Sequence, residues 1–421
     1  MAERQAQPEG LAAFAAVTAA YWAFMLTDGA LRMLVLLQFH ILGFTPFQLA
    51  WLFLLYELAG IVTNLSAGWI AARFGLVRTL HAGLLLQVLA LLALARFDPA
   101  WAVGVSVLYV MAVQGVSGVA KDLAKMSSKS AVKLLAPEGG NTLFRWVALL
   151  TGSKNAVKGA GFLLGAALLG TAGFETSVLA MAAILAAILA AVALLLPPGL
   201  PAGRKDVKFR EVWSTDAAIN RLSLARMFLF GARDVWFVVG IPVWFYAALS
   251  DGTPESNRAA FFLIGSFLAV WIILYGAVQA AAPRILGGAG RPLRDLAAAA
   301  RSWVVALALI PALLALLALD TTAAWLTPVL IVGLLVFGFV FAVNSALHSF
   351  LILALSTGGR VTMDVGFYYM ANAAGRLIGT LLSGLSYQIG GLPACLATAA
   401  ALAGASAVAA GTMQRAVAAR G

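Results

Sequence analysis

Twelve apolar segments follow one another along the chain, and each is long enough to cross a hydrocarbon core about 30 Å thick. They fall near 12–38, 47–71, 79–96, 100–122, 142–170, 176–196, 219–248, 259–282, 302–319, 325–354, 363–388 and 392–412. Hydrophobic residues make up 62% of the chain and charged residues only 11%, against about 25% charged in an ordinary soluble domain. Only helices and closed barrels satisfy their backbone polar groups inside lipid, and segments of this length predict an all-α integral membrane protein. The opening residues, MAERQAQPEG, are short and polar, so the first apolar stretch is expected to be a span, not a cleaved leader. A net charge of +11 would suit nucleic acid, but the basic residues sort by membrane side, and no nucleic-acid partner is expected.

Between the sixth and seventh segments lies a Pro/Gly-rich and then basic stretch, Pro197 to Asp216, with Arg204, Lys205, Lys208 and Arg210. It divides the chain into an N-terminal six-helix half (1–196), a cytoplasmic linker (197–218) and a C-terminal six-helix half (219–421). With the N-terminus inside, nineteen of the 28 Lys and Arg residues fall in inner loops and tails, and two, Arg96 and Arg258, in outer loops. That bias predicts a multi-pass protein of the inner (plasma) membrane with both termini cytoplasmic. Six plus six spans joined by a long basic inner loop is the architecture of the major facilitator superfamily. The loop after span 2, GWIAARFGLVR, resembles that superfamily's loop signature, with Gly68, Arg73 and Gly75 in place and Ala72 where an acidic residue is usual.

Spans 3, 6, 9 and 12 hold no charged residue in their interiors, which predicts that every third helix is peripheral. Charge concentrates in spans 1, 2, 4, 5, 7 and 11. Near mid-membrane are five cations, Arg32, Lys154, Lys158, Arg233 and Arg376, and three carboxylates, Asp28, Glu57 and Asp234. Lys154 and Lys158 sit in the stretch GSKNAVKG of span 5, four apart and so on one helix face. The excess of cations in a low-dielectric cavity calls for an anionic ligand, and a mixture of Arg forks and Lys point charges suits an oxyanion. The alternative is pairing within the protein, Asp28 with Arg32 at i, i+4 and Arg233 with a neighbouring carboxylate. Both readings are open from the residues alone. The three carboxylates are also possible proton-coupling sites.

Lys121, Lys125, Lys129 and Lys133 recur every four residues from the inner end of span 4, as a membrane anchor or, for the first two, as an attractor of anions. Asp122 and Asp364, at inner span ends, join Arg73 and Gly75 as candidates for a cytoplasmic gate. Asn64, Asn155, Gln279, Asn344 and His348 are polar cavity candidates. The halves echo each other faintly. GALR of span 1 matches GAR of span 7, and Asn155, Lys158 and Gly161 of span 5 match Asn372, Arg376 and Gly379 of span 11. One cysteine, Cys395, and three scattered histidines provide no ligand spacing, so no metal and no cofactor are expected. No Ser–His–acid or HExxH spacing appears, and no enzymatic activity is expected.

Five stretches together resemble the ArsJ-type organoarsenical efflux permeases of the major facilitator superfamily. They are YWAFMLTDGALRMLVLLQFH, FLLYELAGIVTN, SGVAKDLAKMSSKSAVKLL, LTGSKNAVKG and FLFGARDVWFV. The resemblance implies export of 1-arseno-3-phosphoglycerate, made when a glyceraldehyde-3-phosphate dehydrogenase uses arsenate in place of phosphate. It thereby implies a functional pairing with that dehydrogenase and a role in arsenate resistance. The residues are compatible with it: a cationic cavity suits such an anion, and one cysteine provides no multi-thiolate site for trivalent arsenic. A facilitator for another phosphorylated metabolite or organic anion is the alternative. A non-transporting receptor or assembly factor on the same fold is less well supported, because no soluble signalling domain is present.

Overall fold

The computed structural model describes the backbone of residues 3–74, 76–135, 140–195, 214–286, 292–321, 323, 325–356 and 361–419. Side chains are described for these except 3–14, 67–69, 71–74, 76, 126, 129–135, 140–152, 195 and 361–363. Among the described residues there are helices and turns and no strand. Span 1 is α1 (Glu3–Ile41); span 2 is α2 (Pro46–Leu52) followed by α3 (Leu54–Phe74). Spans 3 to 6 are α4 (Leu76–Leu94), α5 (Val103–Leu135), α6 (Gly140–Ala172) and α7 (Phe174–Leu195). Span 7 is α8 (Ala217–Val235), a π-helical turn (Trp236–Gly240) and α9 (Ile241–Leu249). Spans 8 to 10 are α10 (Pro254–Ile285), α11 (Leu293–Leu317) and α12 (Leu326–Leu355). Spans 11 and 12 are the two arms of α13 (Val361–Ala418), which breaks at Gly390 and Gly391. The twelve expected segments thus become twelve spans in two six-helix halves, and several helices run past the apolar limits.

With an even number of spans, both ends of the chain lie at one end of the bundle, here the proximal end. The distal turns are short and carry the positive-φ glycines: Gly43, Gly173, Gly252 and Gly391. Only glycine enters that backbone region without a Cβ penalty. Spans 2 and 8 start on a Thr–Pro pair, with the Thr45 and Thr253 hydroxyls accepting from the backbone N–H three residues on. In the loop before span 8, Asp251 accepts from the Thr253 N–H at 2.9 Å and its hydroxyl at 2.8 Å, and from the Ser256 hydroxyl. These hydrogen bonds hold the Asp251 carboxyl at about 2, below its ordinary value.

Burial sorts the spans. In the most apolar windows, 78% of span 1 and 89% of span 7 are buried, against 33% of spans 6 and 9. Spans 1 and 7 therefore run through the centre, and 6 and 9 face outward as expected, whereas span 3, at 50%, is buried as much as span 8 and departs from the every-third-helix expectation.

The faint echo between halves is a packing rule. Span 1 crosses span 5 where a Cβ on Gly161 would sit 3.1 Å from the Gly29 Cα. Span 7 crosses span 11 where a Cβ on Gly379 would sit 2.6 Å from the Gly231 carbonyl oxygen. Small residues let helices approach this closely in lipid. Gly161→Val is expected to lower thermal stability in detergent by about 1–3 kcal/mol or more, because the crossing cannot widen without repacking span 1. An unchanged melting curve would show that the crossing is slack.

The halves meet along span 2 against span 11 and span 5 against span 8. At the distal end they are joined by the Phe47 N–H donating to Gln388 (3.1 Å), Arg258 Nε donating to the Gly170 carbonyl (2.8 Å), and the His40 and Tyr246 rings edge to face at 4.9 Å. The π turn of span 7 is held from span 11, where the Ser383 hydroxyl accepts from both the Val239 and Gly240 N–H groups at 3.1 Å. Cys395 of span 12 donates to the Val235 carbonyl at 3.0 Å.

Candidate functional site

The bilayer fixes the level of the charged residues. Asp28, Lys158, Asp234 and Arg376 each lie 13 to 15 residues from the distal end of their arm, about 20 Å at 1.5 Å per residue. Four helices from both halves thus deliver charge to one plane, and Glu57 joins it from span 2. The three carboxylates are buried, at most 3% exposed.

The charges form a chain across the halves. Lys158 lies 3.3 Å from Asp28 Oδ2, and the Tyr56 hydroxyl donates to Asp28 Oδ1 at 2.5 Å. Arg32 donates to Glu57 Oε1 at 3.1 Å, and Arg376 donates to the same oxygen at 2.6 Å. Arg376 Nε also lies 3.4 Å from Asp234 Oδ2, and Arg233 Nε donates to Asp234 Oδ1 at 2.6 Å. Arg376 is therefore the link between Glu57 of the N-terminal half and Asp234 of the C-terminal half. The pairing of Asp28 with Arg32 entertained above is not the one formed. The close crossing of Gly29 and Gly161 carries Lys158 onto Asp28, and Arg32, one turn further along, meets Glu57 instead. Arg233 does take a neighbouring carboxylate, that of Asp234.

Lys121 adds a fifth cation to this plane. It is 8% exposed, with its Nζ 4.0 Å from the centroid of the Tyr56 ring. Among the described residues no carboxylate lies within ion-pair distance of it. Arg32 sits 5.6 Å from the same ring and 5.0 Å from that of Phe53. Arg32, Lys121, Lys158, Arg233 and Arg376 thus face three carboxylates, leaving two positive charges in a desolvated setting. An unpaired buried charge is expensive. An anion that brings two or more negative charges into this plane offsets that cost.

The other sequence-selected residues divide. Lys154 is half-buried one turn proximal of Lys158. Asn155 donates to Gln279 of span 8 at 3.3 Å, a contact between the halves. Asp122 and Lys125 form a separate cluster. Lys125 lies 3.4 Å from Asp122 and donates to Asn64 at 2.7 Å, and the Thr63 hydroxyl donates to Asp122. The Lys125 ammonium also sits 5.7 Å from the Tyr369 ring of span 11. Asp364 is buried and its Oδ1 has no hydrogen-bond partner among the described residues. Gly75 and the side chain of Arg73 lie outside the described residues.

Asn344 is fully buried on span 10, away from the central chain, beside a cluster the sequence reading did not single out. There Arg226 donates to Asn372 at 2.9 Å and to the Ser345 carbonyl and hydroxyl at 2.9 and 3.0 Å, with its guanidinium 4.0 Å over the Phe230 ring. Tyr56 was also missed. Its position directly before Glu57 was the available signal.

The sequence profile described as Major Facilitator Superfamily matches residues 13–349. Among curated proteins no sequence matches. Among solved structures, a POT family transporter in complex with a thioalcohol-conjugated peptide superposes with a TM-score of 0.73 at 13% identity, covering 94% of both chains. A POT family transporter in complex with 5-aminolevulinic acid gives 0.71 at 14% identity, again over 94% of each. The nucleoside transporter NupG gives 0.68 at 17% identity, over 97% of this chain and 99% of its own. At such identities these structures share the fold.

Proposed function

The chain belongs to the major facilitator superfamily, and from that premise we propose that this multi-pass membrane transporter exports a small organic phosphate–arsenate anion, 1-arseno-3-phosphoglycerate. The observation that carries the anionic half of the reading is the central plane of five cations against three carboxylates. Lys121 lies against the Tyr56 ring with no carboxylate within ion-pair distance among the described residues, and Asp122 is the carboxylate that attracts it most from further off. The five stretches resembling the organoarsenical permeases carry the arsenic half. The Lys and Arg asymmetry of the loops supports an inner-membrane location with both termini cytoplasmic.

In this reading Arg32, Lys121, Lys158, Arg233 and Arg376 receive the substrate's oxyanions, and Lys154 and Asn155 lie on its proximal approach. Arg376 and Glu57 couple the halves, so an anion that draws Arg376 away from Glu57 loosens the contact between span 2 and span 11. Rocking of one half against the other then exposes the site to either side. Asp122, Lys125 and Asn64, close to Tyr369, serve as the proximal gate. An anion leaving an inside-negative cell gains about 2.3 kcal/mol per charge per 100 mV, so voltage would suffice for export as a uniport, and Asp28, Glu57 and Asp234 are the candidate sites for proton antiport.

The charge excess by itself fits any multiply charged phosphorylated metabolite equally well, and a facilitator of that kind is the second reading. A resistance assay separates the two. Cells expressing the chain with a glyceraldehyde-3-phosphate dehydrogenase are expected to survive arsenate, with no gain against arsenite. Equal sensitivity to arsenate with and without the chain would leave the second reading standing and remove the first.

A further inference from the structure

At the proximal end, spans 9 and 12 part to leave a groove of about 480 Å³ on the outer surface of the bundle. It lies away from the central charges, on spans that hold none of them. Its lining divides by height. Arg301, Gln414 and Arg415 form the upper rim, and Val305, Ala407 and Val408 the lower walls. Val408 is 70% exposed, so the lower part opens sideways onto whatever surrounds the bundle. In a membrane protein that surrounding is acyl chain.

The arginines stand at the level of the lipid headgroups. Arg301 directly precedes the apolar segment 302–319, and Arg415 follows the segment 392–412 by three residues. Both are exposed, and among the described residues neither has a carboxylate within ion-pair distance. The Arg301 stem lies over Gly411 of span 12, where even a Cβ would be in ordinary van der Waals contact with Arg301 Nε at 3.5 Å, so the side chain runs across span 12 to the rim that Arg415 shares. Arg221 of span 7, also exposed, donates to the Thr412 carbonyl next to this rim and adds a third positive charge.

Two guanidiniums and an amide present donors to a phosphodiester, and apolar walls continue directly beneath them. We propose that this groove between spans 9 and 12 is a binding site for an anionic glycerophospholipid. Its phosphate is held by Arg301 and Arg415 with Gln414, and one acyl chain lies along Val305, Ala407 and Val408. Charge complementarity selects the occupant: a zwitterionic headgroup would bring a second cation beside the arginines. The sideways opening onto acyl chains favours a lipid over a soluble phosphate. Basic pockets between spans on a membrane's inner face are the recognised setting for such headgroups.

The test is native mass spectrometry of the full chain released from nanodiscs of phosphatidylglycerol or phosphatidylcholine, together with melting curves in each. The wild-type chain is expected to retain phosphatidylglycerol preferentially and to melt higher in its presence. Arg301→Ala and Arg415→Ala are each expected to weaken retention about fivefold, and together about thirtyfold. Arg294→Ala removes a proximal charge outside the groove and is expected to leave retention unchanged. Val408→Trp, which fills the lower groove from an exposed position, is expected to displace the lipid with all the arginines in place. Equal retention of both lipids by the wild type, or undiminished retention in both Val408→Trp and the double arginine variant, would overturn the proposal. So would a dimer mass that vanishes on Val408→Trp, because a second copy would then be the occupant.

Discussion

Arg376→Gln is expected to abolish transport and to destabilise the protein. The arginine lies 2.6 Å from Glu57 and 3.4 Å from Asp234, and both carboxylates are 1% exposed. Removing it leaves each with a single cation, Arg32 or Arg233. Breaking a buried ion pair costs about 3–5 kcal/mol, so a drop of that order is expected in unfolding experiments in detergent. Arg376→Lys should not rescue it, because an ammonium cannot fork to two carboxylates on different helices. The double variant Glu57→Gln with Arg376→Gln removes one charge of each sign but leaves Arg32 without its carboxylate, so stability is not expected to recover, and transport should remain at least about a hundredfold down, since the link between the halves is gone. Wild-type transport by Arg376→Gln would remove the arginine from the mechanism altogether.

Lys121→Met should do the reverse, weakening transport without weakening the fold. Lys121 is a buried cation 4.0 Å from the centroid of the Tyr56 ring, with Asp122 attracting it from beyond ion-pair distance. Met keeps the length of the stem and removes a desolvated charge, so the melting temperature is expected to stay level or rise. If the lysine binds the anion, truncating that pair costs at least about 2 kcal/mol, or about a thirtyfold rise in the apparent KM. A merely structural lysine would move stability and leave KM alone. A variant with reduced melting temperature and unchanged KM would therefore contradict the assignment.

Much of this site was legible in the sequence because lipid is an unforgiving solvent. A charge in an apolar segment stands out, and Arg32, Asp28, Glu57, Lys158, Arg233, Asp234 and Arg376 were identifiable before any helix was placed. Their level followed from counting 1.5 Å per residue. The pairing was not legible, because it depends on how helices cross. Asp28 and Arg32 are spaced to meet on one helix, yet the Gly29–Gly161 crossing gives Asp28 to Lys158 and leaves Arg32 for Glu57. Lys121 was ambiguous for a related reason. It begins a lysine stripe that reads as a membrane anchor, and only the packing of span 4 against span 2 turns it inward onto Tyr56. Arg226 is likewise a charge in an apolar segment, but its pairing was not legible, since its partners Ser345 and Asn372 are neutral and more than a hundred residues away. The π turn of span 7 is set by Ser383 on another helix, and no periodicity within span 7 announces it. The arsenic specificity rests on resemblance, because arsenate and phosphate esters present the same charges to the same arginines.

Transport in everted membrane vesicles tests the central claim most directly. Labelled arsenate would be supplied outside together with a glyceraldehyde-3-phosphate dehydrogenase, glyceraldehyde 3-phosphate and NAD, under an imposed voltage. Uptake is expected only when the chain and the complete enzyme mixture are both present, and Lys121→Met should lower it at limiting substrate. Uptake that persists without the dehydrogenase, or none with it, would contradict export of 1-arseno-3-phosphoglycerate.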